Sequence, residues 1–126
     1  MSSILKPFVA TYEAGAAIAK GKAVKLTDKK TVVQVSATTD NSIGVAQNAA
    51  VNVGDLVEVA HPGGGAKGLA KATIAVGDIL GHNADGSLQK LASASDKIIG
   101  QALDSAVAGD IFALQVLSAQ GVATQS

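Results

Sequence analysis

Apolar and polar residues alternate in short segments along this chain, and one long pattern of them occurs twice. Residues 18–46 read IAKGKAVKLTDKKTVVQVSATTDNSIGVA, and residues 74–102 read IAVGDILGHNADGSLQKLASASDKIIGQA. The two segments align without a gap at an offset of 56 (74 − 18). Matched positions include Ile18/Ile74, Gly21/Gly77, Asp40/Asp96, Gly44/Gly100 and the apolar pair Val24/Leu80. Self-similarity of this kind predicts an internal duplication, here with two copies.

Each copy predicts a β-hairpin followed by two further strands. In the first copy, residues 21–26 alternate as a strand, residues 27–30 form a turn, and residues 31–35 return. Residues 77–82 and 87–91 repeat this around Asn83-Ala84-Asp85-Gly86, a strong turn signal. An Ile-Gly-x-Ala strand and a Gly-Asp-led apolar strand come next in both copies. Many short strands with regular turns predict an all-β small barrel or sandwich built from two duplicated halves.

The repeat also predicts the domain boundaries. Residues 16–118 form the duplicated β domain, with halves at 16–60 and 72–117 joined by a Gly-rich linker at 61–71. Residues 1–15 lie outside the repeat and are predicted to be an extended N-terminal arm. Residues 119–126 are mostly polar and are predicted to be a flexible tail.

Composition narrows the function classes. The chain has 126 residues, no Cys and a net charge of zero, so disulfides and thiolate metal sites are excluded. It contains no Arg, the residue on which nucleic-acid readers depend most, so we expect no nucleic-acid partner. No apolar run approaches the roughly 18–20 residues of a membrane helix, and we expect no membrane partner. The first ten residues lack a secretory signal, which indicates synthesis and retention in the cytoplasm of the cell.

Two glycine motifs are reminiscent of phosphate-binding loops. Gly63, Gly65 and Gly68 satisfy G-x-G-x-x-G, but the segment after them is too short and too β-branched to supply the helix that a dinucleotide site needs. Residues 15–22, GAAIAKGK, have the wrong glycine spacing for a P-loop, and Ala23 stands where a hydroxyl is required. We therefore expect no nucleotide cofactor.

The acids and histidines give no better indication of catalysis. Asp55, Asp78 and Asp110 follow glycines at equivalent turns, where a carboxylate commonly accepts hydrogen bonds from nearby backbone N–H groups. His61 and His82 are the only histidines, and neither has the neighbours that a metal or nucleophilic site requires. The sequence predicts a protein that is not an enzyme and carries no metal or cofactor.

One hairpin tip supports an alternative. Thr27-Asp28-Lys29 in a duplicated all-β domain resembles the lysine of lipoyl carrier domains, which would make Lys29 the modified residue. Lys30 adds a competing amine, and Leu26 stands where that family usually has an acid.

The repeated segments also resemble the capsid cement, or decoration, proteins of tailed bacteriophages. The resemblance rests on AAIAKGKAVKL and IGVAQNAAVNVGDLVEV in the first half and on ATIAVGDILGHNADGSLQKLASASDKIIGQALDSAVAGDIFALQV in the second. It implies a structural virion protein, made in the host cytoplasm, that binds the outside of the capsid and bridges subunits of the major capsid protein. It also implies self-association, for which we expect a homotrimer. A receptor- or carbohydrate-binding module on the virion is a further alternative.

The predicted arm provides the candidate contact residues. Phe8 and Tyr12 are two of three aromatics in the chain and fall on one face of a predicted extended segment. Aromatic residues are enriched among those that dominate binding energy. Lys6, Lys20 and Lys22 add positive charge suited to an acidic partner surface. We therefore predict that these five residues contact the capsid or a neighbouring protomer.

Overall fold

The computed structural model describes residues 9–38, 40–91 and 97–117, and the regular structure within them is entirely β. The ten strands are β1 (Val9–Ala14), β2 (Ala23–Asp28), β3 (Thr31–Gln34), β4 (Gly44–Ala46), β5 (Leu56–Ala60), β6 (Gly65–Leu69), β7 (Ile79–His82), β8 (Leu88–Lys90), β9 (Ile98–Ala102) and β10 (Ile111–Val116). The predicted all-β fold class is confirmed.

The strands divide into two sheets that follow chain order. Strands β1 to β5 form a closed barrel in the order β1-β3-β2-β4-β5, which β1 closes by pairing antiparallel with β5. Strands β6 to β10 form a five-stranded sheet in the order β6-β10-β9-β7-β8. The β1–β3 pair is parallel, and the other strand pairs in both sheets are antiparallel.

Every pairing in the first sheet has a counterpart in the second. β6 takes the place of β1, and β7, β8, β9 and β10 take the places of β2, β3, β4 and β5. The isolated bridges repeat as well, since Ile18–Ala50 corresponds to Ile74–Ala106. The parallel bridge Ala70–Leu88 stands where Ala14 pairs with Val32. We call residues 9–60 the first unit and residues 65–116 the second unit.

The structure places a strand in each of the two segments that the repeat left unassigned. Residues 9–14 of the predicted arm are β1, which pairs with β5 from Val9–Ala60 to Glu13–Leu56. Residues 65–69 of the predicted linker are β6, the matching partner of β10. β6 is rich in glycine because a Cβ at Gly68 would collide with the side chains of Leu88 and Leu114. The structural repeat therefore begins earlier in each unit than the sequence repeat does.

The two units differ in how they fill their cores. The first unit has a core of its own residues, including Val24, Val32 and Val57. The core of the second unit is built around Phe112 and also contains residues that the first unit contributes, namely Ala23, Val35, Val45 and Ala60. The second unit therefore depends on the first for part of its packing.

Candidate functional site

The three Gly-Asp carboxylates serve as turn caps, as predicted. Asp55 accepts hydrogen bonds from the backbone N–H groups of Val51 and Asn52 at 3.1 and 3.0 Å. Asp78 accepts one from Ala75 at 2.9 Å, and Asp110 accepts one from Val107 at 3.3 Å. These carboxylates fix the loops that lead into β5, β7 and β10.

The two histidines have structural contacts. The ring of His61 stacks on that of Tyr12 with centroids 5.7 Å apart, and its Nε2 lies 2.8 Å from the Tyr12 hydroxyl. His82 is buried, and its Nε2 lies 3.0 Å from the carbonyl oxygen of Asp40 in the first unit. Within residues 9–38, 40–91 and 97–117, no group of three or more His, Asp or Glu side chains is placed to hold a metal ion.

The described part of the chain also contains no helix that is long and apolar enough to cross a membrane.

The structure describes three of the five predicted contact residues, and each has a different setting. Lys6 and Phe8 lie outside the described residues. Tyr12 is half-buried on β1, where it packs against the core of the first unit. Lys20 is exposed, next to the Gly21 turn. Lys22 lies between the two units, and only 14% of its side chain is exposed.

Lys29 occupies the tip of the β2–β3 hairpin, as the carrier-domain alternative requires, and it is exposed. The neighbouring Asp28 carboxylate accepts a hydrogen bond from the Lys30 backbone N–H at 3.0 Å. That bond is the main reason why the pKa of Asp28 lies below its ordinary value. The hairpin tip is thus a structured turn that presents two lysines to solvent.

A backbone contact joins the two units at a position that we call the seam. The Gly21 carbonyl accepts a hydrogen bond from the Leu69 N–H at 3.0 Å, and the Ala23 N–H donates to the Gly86 carbonyl at 2.7 Å. Residues 21–23 therefore lie between β6 and the β7–β8 turn, where the second sheet is closed only by the single bridge Ala70–Leu88. The first unit in this way completes the hydrogen bonding of the second.

Side chains reinforce the seam on both sides of this backbone contact. The Lys22 ammonium donates to the Asp85 carbonyl oxygen at 3.0 Å and lies 3.8 Å from the Asp85 carboxylate. Gln47 donates its side-chain N–H to the Lys67 carbonyl and accepts the Lys67 N–H, both at 3.1 Å. Bonds from Ser87 and the nearby positive charge of Lys22 lower the pKa of Asp85. The seam is therefore a specific, hydrogen-bonded interface.

A second connection between the units depends on Asp40. Its carboxylate accepts bonds from the Ser36 N–H at 2.8 Å and from the Lys25 ammonium at 2.9 Å. The backbone bond from Ser36 and then the Lys25 bond lower the pKa of Asp40 to about 2. Because the Asp40 carbonyl also contacts His82, this carboxylate orders a loop against which the second unit packs.

The exposed apolar residues form a feature that the sequence interpretation missed. Val51 in the loop before β5 and Leu56, the first residue of β5, protrude from the first unit, with 75% and 65% of their surface exposed. Val107 and Ile111 occupy the equivalent positions before and at the start of β10, with 57% and 45% exposed. We call these two pairs the apolar loops. Their equivalence was visible in the aligned repeat, but an apolar residue in a strand-rich pattern normally indicates the core.

The whole fold is similar to that of a solved virion component. The crystal structure of the head fiber gp8.5 N base of bacteriophage phi29 matches this fold with a TM-score of 0.68 and 22% sequence identity. The match covers 89% of this chain and 95% of that chain. No protein-family model matches the sequence, and no curated protein matches it. The comparison therefore establishes a shared fold that includes both units.

Proposed function

We propose that this protein is a non-enzymatic structural component of a bacteriophage virion. It binds the outer surface of the capsid and stabilises the shell by bridging subunits of the major capsid protein. The observation that carries the proposal is the match of nearly the whole chain to the base of a phage head fiber. The cement-protein resemblance of the repeated segments leads independently to the same setting.

The apolar loops provide the bridging geometry. Each unit presents two large apolar side chains at the same position of the same fold, held by a carboxylate cap. Folding alone gives no reason for these valines to remain 75% and 57% exposed, at Val51 and Val107, and exposed apolar patches mark interaction sites. Two equivalent contacts on one rigid chain can bind two neighbouring coat subunits. Linking two modest contacts in this way strengthens binding well beyond either contact alone.

Self-association and the N-terminal residues complete the proposal. The family resemblance leads us to propose a homotrimer. Residues 1–8, with Lys6 and Phe8, remain candidate contacts to the capsid or a protomer. Because Val9–Ala14 is a strand of the first barrel, the informative truncation removes residues 1–8 and leaves β1 intact. We expect that truncated protein to remain folded and to bind capsids more weakly, as measured by cosedimentation.

The bridging proposal is tested with capsids that lack this protein. Val51→Glu, Val107→Glu and the double variant are mixed with such capsids, and binding is measured by cosedimentation. Capsid stability is measured from the temperature at which the shell dissociates. The native protein should bind and raise that temperature. Each single variant should bind more weakly and lose most of the stabilisation, since one contact cannot bridge, and the double variant should not bind.

The matched control is Val9→Glu, which also places an acid on an exposed valine. Val9 pairs with Ala60 and so lies at the opposite end of the β1–β5 pair from Leu56. This variant should bind and stabilise capsids like the native protein. Full binding by the double variant would overturn the assignment of the apolar loops, and absence of binding by the native protein would overturn the proposed function.

A further inference from the structure

The seam joins one surface of the first unit to a different surface of the second unit. Because the two units share a topology, each unit also has an equivalent of the surface that the other unit contributes. The first unit contributes residues 21–23 and Gln47, and the second contributes β6 and the β7–β8 turn. The same fold places a second copy of the contributed surface on the second unit, around Gly77 and Leu103. It also places a second copy of the receiving surface on the first unit, at β1 and the β2–β3 turn. In the part of the chain that the structure describes, neither copy is hydrogen-bonded to the other unit.

The uncovered surface on the second unit, which we call the docking face, consists of Gly77, Asp78, Ile79 and Leu103. A Cβ built on Gly21 would contact Leu69 across the seam, whereas one built on Gly77 meets no atom within 4 Å. Ala23 is fully buried, whereas its equivalent Ile79 is only half-buried. Leu103 stands where Gln47 bonds to β6, and 46% of its surface is exposed. The docking face is thus the seam surface without its partner.

The uncovered surface on the first unit, which we call the docking edge, consists of Thr11, Glu13, Lys29 and Lys30. These residues are the equivalents of Lys67, Leu69, Asp85 and Gly86, all of which belong to the seam. Thr11, Lys29 and Lys30 are exposed, and Glu13 is half-buried. β1 pairs with β3 only at Glu13 and Ala14, so its outer edge beside Thr11 is not covered by β3.

The docking face and the docking edge carry opposite charges, and each sign is the reverse of the sign at the equivalent position in the seam. In the seam, Lys22 of the contributed surface pairs with Asp85 of the receiving turn. Asp78 replaces Lys22 on the docking face, and Lys29 replaces Asp85 on the docking edge. Both signs are exchanged together, so an attractive pair is retained at the same location. Opposite charges placed across from each other favour the matching partner and disfavour others.

We propose that a second copy of this chain docks head-to-tail, with its docking edge on the docking face of the first copy. The contact repeats the seam between molecules, with Asp78 of one protomer opposite Lys29 of its partner. It is heterologous, because each protomer contributes a different surface, and such contacts close into rings or continue as filaments. This inference specifies the contact for the self-association proposed above and concerns the protein free of capsids.

The contact between molecules is weaker than the seam, for three reasons. The Glu13 N–H donates to the Lys30 carbonyl at 2.8 Å, and docking exchanges this bond for one from the Ile79 N–H and one to the Gly77 carbonyl. The Gly77 carbonyl already accepts the Gln101 side-chain N–H at 3.1 Å, so it has to accept a second bond. Lys30 also replaces Gly86, where a Cβ lies 3.2 Å from the Lys22 Cβ, so the partner sits slightly farther out. Leu103 cannot reproduce the two bonds of Gln47. Association is therefore reversible and depends on protein concentration.

The test measures the mass of the full chain by analytical ultracentrifugation over a range of concentrations. Leu103→Glu blocks the docking face, and the double variant Lys29→Glu with Lys30→Glu blocks the docking edge. We expect the native protein to associate and each blocked variant to weaken association by about tenfold or more. Leu103→Glu buries a charge in the contact, and the lysine substitutions place acids opposite Asp78. An equimolar mixture of the two blocked variants should form dimers and stop there, because only one usable contact remains.

Val107→Glu is the matched control, because its equivalent Val51 is not covered by the seam. This variant should associate like the native protein while binding capsids more weakly, so the failure of either proposal can be distinguished from failure of the other. A native protein that stays monomeric at all concentrations overturns the inference. So does a blocked variant that associates normally, or a mixture that forms no dimers.

A second test exchanges the two charges of the contact and so does not depend only on substitutions that weaken association. Asp78→Lys with Lys29→Asp places the residues of the Lys22–Asp85 pair between molecules, at the equivalent positions of the repeat. Folding is checked for each variant by circular dichroism, because Asp78→Lys also removes the bond from the Ala75 N–H. This double variant should associate like the native protein, whereas either single change should weaken association about fivefold or more. Adding Lys30→Gly and Leu103→Gln reproduces the seam more closely and should tighten association. Equal association of all five proteins, the native protein and its four variants, overturns the inference.

Discussion

One glycine in each unit, Gly44 or Gly100, lies very close to the backbone of the neighbouring strand. A Cβ on Gly44 would overlap the carbonyl oxygen of Ala60, and one on the equivalent Gly100 would overlap that of Gln115. These glycines therefore allow β4 and β9 to lie against the last strand of their unit. In the sequence, they appear only as the glycine of the Ile-Gly-x-Ala pattern, which identifies a strand but not the reason for its glycine.

Gly44→Ala should destabilise the protein by about 3 kcal/mol, because overpacking against a fixed backbone atom forces strands apart. Gly54→Ala is the matched control. Gly54 has a φ of 92° but open space around its Cα, so alanine there should cost only about 1–2 kcal/mol from backbone strain. Urea unfolding of both variants gives the comparison. Equal losses would show that conformation, rather than the contact with Ala60, decides the cost.

Asp40 should make stability depend on pH in the acid range. Its pKa is about 2 in the folded protein and near 3.8 when unfolded, so its stabilising contribution is complete above about pH 5. The contribution declines as pH falls through 4 towards 2, where the carboxylate becomes protonated in both states. Unfolding in urea between pH 2 and pH 7 would show this decline in the native protein.

Asp40→Ala removes the same contribution at every pH. Because the Asp40 side chain is partly exposed, we expect a loss at the lower end of the about 1.5–3 kcal/mol that hydrogen bonds to charged groups contribute. The difference between native protein and variant should be constant above pH 5 and shrink below pH 4. A difference that persists unchanged at pH 2 would contradict the role of the charged carboxylate.

At the scale of elements, the hairpins were the most predictable part of the molecule. Strands β2, β3, β7 and β8 lie where alternation and turn residues placed them, since both signals are local. β1 and β6 were missed as members of the repeat because they share almost no sequence. Thr11 and Lys67 occupy equivalent positions, as do Tyr12 and Gly68. What β1 and β6 share is that each pairs with a strand far along the chain, namely β5 and β10. The alternation of apolar and polar residues does not show which strands pair.

The Gln47 side chain links two elements by bonding both backbone groups of Lys67 on β6. Gln47→Ala should reduce the free energy of unfolding by about 1–3 kcal/mol, because two bonds between the units are lost together. Gln101→Ala is the control, since the Gln101 side chain donates to the Gly77 carbonyl at 3.1 Å within the second unit. It should cost about 1 kcal/mol or less. Chemical denaturation at low protein concentration measures both effects, and equal costs would contradict the importance of the seam bonds.

At the scale of the whole molecule, the candidate surfaces depended on relations that the sequence shows only in part. The repeat aligned Lys22 with Asp78 and Lys29 with Asp85, but no local signal indicated that Lys22 meets Asp85. Similarly, Val51 and Val107 were aligned, while their exposure became visible only in the fold. The five predicted contact residues were chosen from aromatic and positive character, and that choice does not detect a seam within one chain.

The units should differ in their ability to fold alone. Residues 1–62 contain a closed barrel and a core of their own, so we expect this fragment to give dispersed amide signals in NMR spectra. Residues 63–126 lack the backbone and side chains that the first unit adds to their sheet and core, so this fragment should remain largely unfolded. Mixing the fragments should restore its structure. A well-folded second fragment in isolation would contradict the dependence.

The seam also has a consequence for the order of events on the ribosome. By the time Ala60 has emerged, every strand of the closed barrel is available, and the first unit can fold while the rest of the chain is still being made. Its residues 21–23 then form a finished template on which β6 and the β7–β8 turn can assemble as they appear. Because the two units share a topology, strands of one could otherwise pair with strands of the other. Synthesis from the N-terminus removes that competition, because the first unit can fold before the strands of the second unit have been made.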